Sequence, residues 1–316
     1  MSEKKLTIRL YKPGDEQGII NLFKEIFKRE MTLEEWQWKY TGRGNKKVYS
    51  SVTVNENNQI VAHYGGIPHR MMYQGREVYG LAIGDVMVQP HYREFKLFRE
   101  LAALVPDEAA IDGFILGYGF PQERLLRLSE KLGLYEKIED VFEANKEVQF
   151  HKNMNRLLYK FFPMTYDDKR IDILWESVKK DFGLSVVRDR EYLKWRYEKH
   201  PLFSYELWGL RKRWGRRLQG LAVLRKEEDK MLIIDFVVSD NLFSILFQKI
   251  ENYAFSLGKK NLSLWHPEYL TDKLTELGFS INKTVTCIPR TTHEKGLKKE
   301  DLKGKFFYTM GDTDFL

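Results

Sequence analysis

Residues 85–98, Asp85-Val86-Met87-Val88-Gln89-Pro90-His91-Tyr92-Arg93-Glu94-Phe95-Lys96-Leu97-Phe98, carry the groups of this chain best arranged for chemistry. Ala82–Val88 reads as a strand that stops at Gln89-Pro90, and Tyr92–Leu104 reads as a helix. A strand that passes directly into a helix leaves the helix's first amides without intrahelical acceptors. Those amides and the helix dipole favour an anion such as a diphosphate. Arg93 and Lys96 place positive charge beside them. Asp85 adds a carboxylate. A free aspartate titrates near about 3.9 and serves as a base only where burial raises that value.

Other chemistries find no support in the sequence. Histidines 63, 69, 91, 151, 200, 266 and 293 are scattered, and no metal-ligand spacing joins them, so no metal is expected. The single cysteine, Cys287, provides neither a disulfide framework nor a thiolate metal site. No Gly-x-Ser-x-Gly, P-loop or dinucleotide fingerprint occurs.

The elements that must position these groups occur twice. Trp38-Lys39-Tyr40 returns as Trp195-Arg196-Tyr197, and Asp85-Val86-Met87-Val88 returns as Asp235-Phe236-Val237-Val238. Leu97-Phe98 returns as Leu246-Phe247, and Leu132-Gly133-Leu134 as Leu277-Gly278-Phe279. The pairs keep their order at a spacing of about half the chain. That spacing indicates a duplicated domain, since solenoid repeats run to roughly 20–50 residues. The predicted domains are 1–150 and 169–316, joined by a linker over 151–168 whose Leu157-Leu158-Tyr159 and Phe161-Phe162 are apolar enough to pack. Within each half the patterning predicts an antiparallel meander, then a strand, a helix, a strand, a helix and a last strand. The fold class is therefore α/β (α+β), with a mixed, mostly antiparallel sheet flanked by helices in each domain. The Trp-x-Tyr boxes read as core, with Lys39 and Arg196 between them solvated. Asp15 is placed to cap the first helix.

Composition narrows the partners. The chain has 316 residues, 43% hydrophobic and 14% aromatic, with a formal net charge of +7. That composition excludes disorder, and the charge favours anionic partners. The densest basic run, Arg211-Lys212-Arg213-Trp214-Gly215-Arg216-Arg217, lies between apolar runs and reads as a hairpin tip, not a nucleic-acid groove. No signal core and no stretch near the roughly 20 apolar residues of a membrane span occurs. A cytoplasmic protein with no membrane partner is expected.

Three segments resemble the GNAT superfamily of acyl-CoA-dependent N-acyltransferases, in a tandem form. Ile8–Glu16 is similar to the family's opening strand and turn, Asp85–Arg93 to its cofactor-side strand and the entry to its pyrophosphate loop, and Ser129–Leu134 to the end of its last helix. The resemblance implies acetyl-CoA as co-substrate and a small-molecule amine as acceptor. It implies cofactor contacts from Met87, Val88, Arg93, Lys96, Leu97 and Phe98. Arg93 fits the loop's first position, but Lys96 and Phe98 stand where the family has glycine and a small residue. In catalysis it implies Asp85 as base. The family's tyrosine acid is replaced by Ser129, or by Leu274 in the second half, and Tyr118 is positioned to substitute. The second half, Ser239-Asp240-Asn241-Leu242-Phe243-Ser244, has no glycine or arginine in its loop and is expected to hold no cofactor. Two alternatives remain open: a Fem-type aminoacyltransferase using aminoacyl-tRNA, and a non-catalytic GNAT-like binding protein. Nucleic acid enters only with the first, as tRNA.

Overall fold

The computed structural model describes residues 6–44, 47–152, 155–292 and 296–313. His293 lies outside them. Strand β1 (Thr7–Leu10) leads to α1 (Glu16–Phe27) and α2 (Leu33–Tyr40). Strands β2 (Tyr49–Val54), β3 (Ile60–Tyr73) and β4 (Arg76–Val88) form a meander, and a 3₁₀ turn at Pro90–Tyr92 opens α3 (Phe95–Ile111). Next come β5 (Leu116–Gly119), α4 (Glu123–Lys131) and β6 (Tyr135–Glu147). The chain continues through α5 (Asn155–Leu158), β7 (Tyr159–Pro163), α6 (Arg170–Val178), β8 (Leu184–Val186) and α7 (Arg190–Leu193), which runs on as a π-turn over Lys194–Glu198. Strands β9 (Glu206–Lys212), β10 (Leu218–Lys226) and β11 (Lys230–Val238) are the second meander. A 3₁₀ turn at Asp240–Leu242, α8 (Phe243–Ser256), β12 (Asn261–His266), α9 (Thr271–Glu276) and β13 (Ser280–Thr291) follow, then α10 (Lys299–Leu302) and β14 (Phe306–Phe307).

The compact units are not the contiguous halves the sequence suggested. One comprises the residues up to Arg70, Val78–Glu139 and Thr286–Lys303; the other comprises Met71–Glu77, Asp140–Val285 and the residues from Gly304 on. Strand β6 begins in the first unit and ends in the second, and β13 does the reverse. In the first unit the strand order is β1-β2-β3-β4-β5-β13-β6, with β4 and β5 parallel. In the second it is β13-β6-β12-β11-β10-β9-β7, with β11 and β12 parallel. A helix makes each parallel crossover, α3 in one unit and α8 in the other, because parallel neighbours need a long return connection.

The repeated residues occupy matching places. Leu97 and Phe98 of α3 join a core with Tyr49, Tyr64, Leu81 and Leu101. Leu246 and Phe247 of α8 join one with Ile233, Phe236, Phe243 and Leu264. Each side chain so buried contributes about 1.5–3 kcal/mol. Gly133 (φ +70°) and Gly278 (φ +85°) end α4 and α9 in the left-handed region. The same pair of bonds closes both turns: Gly133 N to Glu130 O and Leu134 N to Ser129 O, Gly278 N to Thr275 O and Phe279 N to Leu274 O. Glycine takes that conformation without a Cβ penalty.

Several expectations need correcting. Strand β5 begins only at Leu116 because α3 runs through Pro106 to Ile111, its apolar stripe Leu101-Ala102-Val105-Ala109 outweighing the missing helix bond. In the linker, Leu157 and Leu158 are exposed, whereas Tyr159 and Phe161 pack on the second core. Asp15 makes no side-chain cap. Its carboxylate instead holds the Arg9 guanidinium at 2.7 and 2.8 Å.

Candidate functional site

The site grows from the pairing of β4 with β5. Their parallel ladder runs from Gly80↔Leu116 to Ile83↔Gly119, where β5 ends. Among the described residues that ladder goes no further, while β4 runs on to Val88 past a residue in the left-handed region, Asp85 at φ +49°. A non-glycine residue with positive φ inside a strand costs energy that its surroundings must supply.

Helix α2 supplies it. Thr32 caps the helix through its side chain, which accepts from Glu35 N. Helical spacing then sets Trp36, Lys39 and Tyr40 on one face. Lys39 Nζ and Tyr40 Oη both donate to the Asp85 carboxylate at 2.8 Å. Lys39 is 4% exposed, so the expectation of a solvated lysine is overturned. Burial by itself would raise the Asp85 pKa, but the Lys39 charge and hydrogen bond outweigh it and hold the carboxyl below its ordinary value. A carboxylate with a lowered pKa and two bound donors is ill suited to take a proton from an amine. Its geometry is that of a clamp on β4.

His63 completes the clamp. Its Nδ1 lies 2.7 Å from the Asp85 carbonyl, which can only accept, and its Nε2 lies 2.7 Å from Ser50 Oγ. Burial lowers the His63 pKa, so the ring is neutral, with Nδ1 donating to the carbonyl and Nε2 accepting from Ser50. Tyr118 of β5 lies in register with Ala82, fully buried, its hydroxyl 2.7 Å from His69 Nδ1. Ser129, the family position for an acid, is wholly buried, as is Leu274 in the second unit.

Helix α3 opens with the amides of Phe95, Lys96 and Leu97 lacking backbone acceptors among the described residues; the ladder starts when Phe98 N donates to Glu94 O at 3.1 Å. The Phe98 ring is in the core, so Phe98 offers a ligand neither amide nor side chain, contrary to its predicted contact. For the same reason it does not cover the helix start. Lys96 points to solvent, 87% exposed at its side chain. Leu97 can offer only its amide, since its side chain is buried. Arg93 is exposed, and its Nε donates to Val88 O at 3.2 Å. Met87 is buried and Val88 half-buried along β4.

The second unit repeats the clamp with one exchange. Tyr197 Oη donates to Asp235 at 2.7 Å, as Tyr40 does to Asp85. The cation is Arg188 (Nε to Asp235, 2.8 Å), whereas Arg196 donates to the Gly311 and Thr313 carbonyls at 2.9 and 2.8 Å. Arg196 too is buried, not solvated. The parallel ladder again ends early, at Leu232↔Ser263. Here a 3₁₀ turn, Met310–Asp312, lies against β11 and β12. Thr309 Oγ1 bonds Asp235 at 3.2 Å, Asp312 bonds Arg188 at 2.6 Å, and Gly311 leaves no room for a Cβ beneath the Tyr197 hydroxyl.

Residues 7–138 match the model of the acetyltransferase (GNAT) domain. That stretch of the chain is a GNAT acetyltransferase domain. A probable N-acyltransferase from Enterococcus faecalis V583, a conserved protein of unknown function, shares the fold of this chain with a TM-score of 0.69 at 14% identity, over 90% of this chain and 72% of its own. A GCN5-related N-acetyltransferase from Anabaena variabilis gives 0.69 at 15% identity, over 91% and 72%. N-myristoyltransferase from Saccharomyces cerevisiae, solved with myristoyl-CoA, gives 0.61 at 10%, over 90% and 77%. No curated protein sequence matches the chain.

An acyl-CoA, the general co-substrate of the fold, fits the residues of the first unit. The backbone of β4 past the end of its β5 ladder, the three amides of α3 and the exposed Arg93 supply donors and charge. Lys39, Tyr40, His63 and His69 were not singled out as site residues. The paired motifs Trp-x-Tyr and Asp-x-x-Val carried the signal for Tyr40, because both pairs recur together in the sequence and meet in each unit.

Proposed function

We propose that this chain is a GNAT-type, acetyl-CoA-dependent N-acetyltransferase whose first unit binds the cofactor and whose acceptor is a small or sugar-like amine. The observation that carries this reading is the parting of β4 from β5 beyond Ile83 and Gly119, with β4 leading to three acceptorless amides at the start of α3. Acetyl-CoA supplies an activated thioester. Backbone groups of Met87 and Val88 would hold its pantetheine arm and thioester oxygen. The amides of Phe95, Lys96 and Leu97 would hold the pyrophosphate, with Arg93 and Lys96 adding charge. The loop lacks the family's glycines, and each charge-assisted hydrogen bond missing for that reason would cost about 1.5–3 kcal/mol, or roughly one to two decades of affinity.

Asp85 acts in this reading as a positioning residue that fixes the bend of β4. Tyr118, paired with His69, is the candidate proton donor to the departing thiolate. In this reading the second unit holds no cofactor, which the packing of Thr309–Thr313 on Asp235 and Arg196 supports. Cofactor binding is tested by thermal unfolding with acetyl-CoA, CoA and longer acyl-CoAs, since a ligand bound only by the native state raises Tm. The expected result is a rise with acetyl-CoA at one equivalent per chain. No rise with any of them, or salt-sensitive binding of aminoacyl-tRNA in their place, would overturn the reading.

A further inference from the structure

The second unit displays a surface that its fold does not use. Strand β7 ends the strand order beside β9, pairing Tyr159↔Lys212 and Lys160↔Arg211. That register sets Leu157 and Leu158 against the turn after β9: Arg213 N donates to Leu158 O at 2.8 Å and its Nε to Leu157 O at 2.9 Å. The turn is fixed from within. Gly215 N bonds Lys212 O, and the Arg211 guanidinium donates to the carbonyls of Lys212, Arg213 and Gly215 at 3.1, 2.8 and 2.7 Å.

On this held turn Trp214 is 84% exposed, with Leu157 at 60% and Leu158 at 52%. Around them, residues 157–160 and 211–217 include Lys160, Arg211, Lys212, Arg213, Arg216 and Arg217, and no acid. Lys212, Arg216 and Arg217 are exposed and make no ion pair with the described residues. Folding gains nothing from an indole and two leucines in water or from unneutralised like charges packed together. A partner that relieves both must offer negative charge at its surface and apolar depth just beneath.

We propose that this hairpin tip docks the chain on a bilayer surface carrying anionic lipid headgroups. The indole sits at the headgroup level, where amphipathic rings partition; the leucines enter the acyl boundary; the lysine and arginine side chains meet the headgroups. A nucleic acid would satisfy the cations but leave the two leucines exposed, and a single tryptophan forms no stacking groove. The contact is peripheral, as no described helix is long and apolar enough to cross a membrane. It revises the sequence expectation of no membrane partner and does not depend on the acyltransferase reading.

Co-sedimentation of the full chain with vesicles tests it. The chain should bind phosphatidylcholine vesicles containing phosphatidylserine and not phosphatidylcholine alone. Trp214→Ala should weaken binding at least about tenfold, a difference read directly from the partition curves. Arg216→Glu with Arg217→Glu, or high salt, should abolish it. The side chains changed are solvent-facing, so the variants should keep the parent Tm. Brominated lipid should quench part of the chain's fluorescence, and that part should vanish in Trp214→Ala. Equal binding to neutral vesicles, no binding to either, or capture by tRNA or DNA without vesicle binding would each overturn the proposal.

Discussion

Tyr40 and Asp85, 45 residues apart, are joined by a buried 2.8 Å hydrogen bond, and Tyr197 and Asp235 reproduce it at 2.7 Å in the second unit. A bond made at the matching place in both units belongs to the fold before it belongs to chemistry. Lys39→Met should therefore destabilise the chain by about 3–5 kcal/mol, the cost of leaving one member of a buried ion pair uncompensated. Denaturant unfolding measures it. Asp85→Asn should lose stability while leaving the pH dependence of any residual turnover in place. If Asp85 were the base, Asn would flatten the acid limb of that profile.

At the start of α3, Arg93→Ala should weaken acetyl-CoA binding about tenfold, equivalent to ~1.4 kcal/mol. Glu94→Gln should tighten it, because Glu94 stands at the N-cap of α3 with no side-chain cap bond and repels an anion there. Asn241→Ala, in the corresponding turn of the second unit, should change nothing. Titration calorimetry separates the three.

The second unit's plug gives a stability prediction. Gly311→Ala forces a methyl group against the Tyr197 hydroxyl and the backbone of β11. Overpacking of this kind costs about 1–3 kcal/mol. The expected loss of Tm should come without loss of acetyl-CoA stoichiometry, measured in the same calorimetric titration.

His63 makes stability depend on pH in a defined window. Its folded pKa lies below the ordinary value of about 6.5, so below that pH the unfolded chain takes up a proton that the folded chain does not. Stability therefore falls as pH drops from about 6.5 toward the folded value. Asp15 and Asp85, both held below the ordinary carboxylate range, add a second loss below about pH 4, where the unfolded carboxyls protonate first. His63→Gln should shrink the first phase, leaving the share of His266, whose pKa burial also lowers, and leave the second unchanged, as followed by circular dichroism at stepped pH.

Gly133→Ala and Gly278→Ala should each cost about 1 kcal/mol, since both residues sit in the left-handed region at equivalent helix ends. A clear cost at one and none at the other would contradict the equivalence of the two turns.

The sequence alone determined the paired motifs, the meander-then-crossover order of elements and the strand-to-helix passage at 88–95. Those features are local: apolar period, turn residues and glycine conformation act over a few positions, and a repeat multiplies the signal. It also determined the Leu-Gly ends of α4 and α9, where backbone geometry admits little else. Tertiary structure decided which charges are buried. Lys39 and Arg196 sit in otherwise apolar boxes, and nothing within the boxes tells that Asp85 or the C-terminal carbonyls will receive them. Tertiary structure also decided that β6 and β13 pass between units, that the Phe98 ring turns inward from the helix start, and that Thr309–Thr313 packs on Asp235, Arg188 and Arg196. Each is a contact between segments far apart in the chain, and hydrophobic period constrains only which face a residue takes, not which partner it meets there.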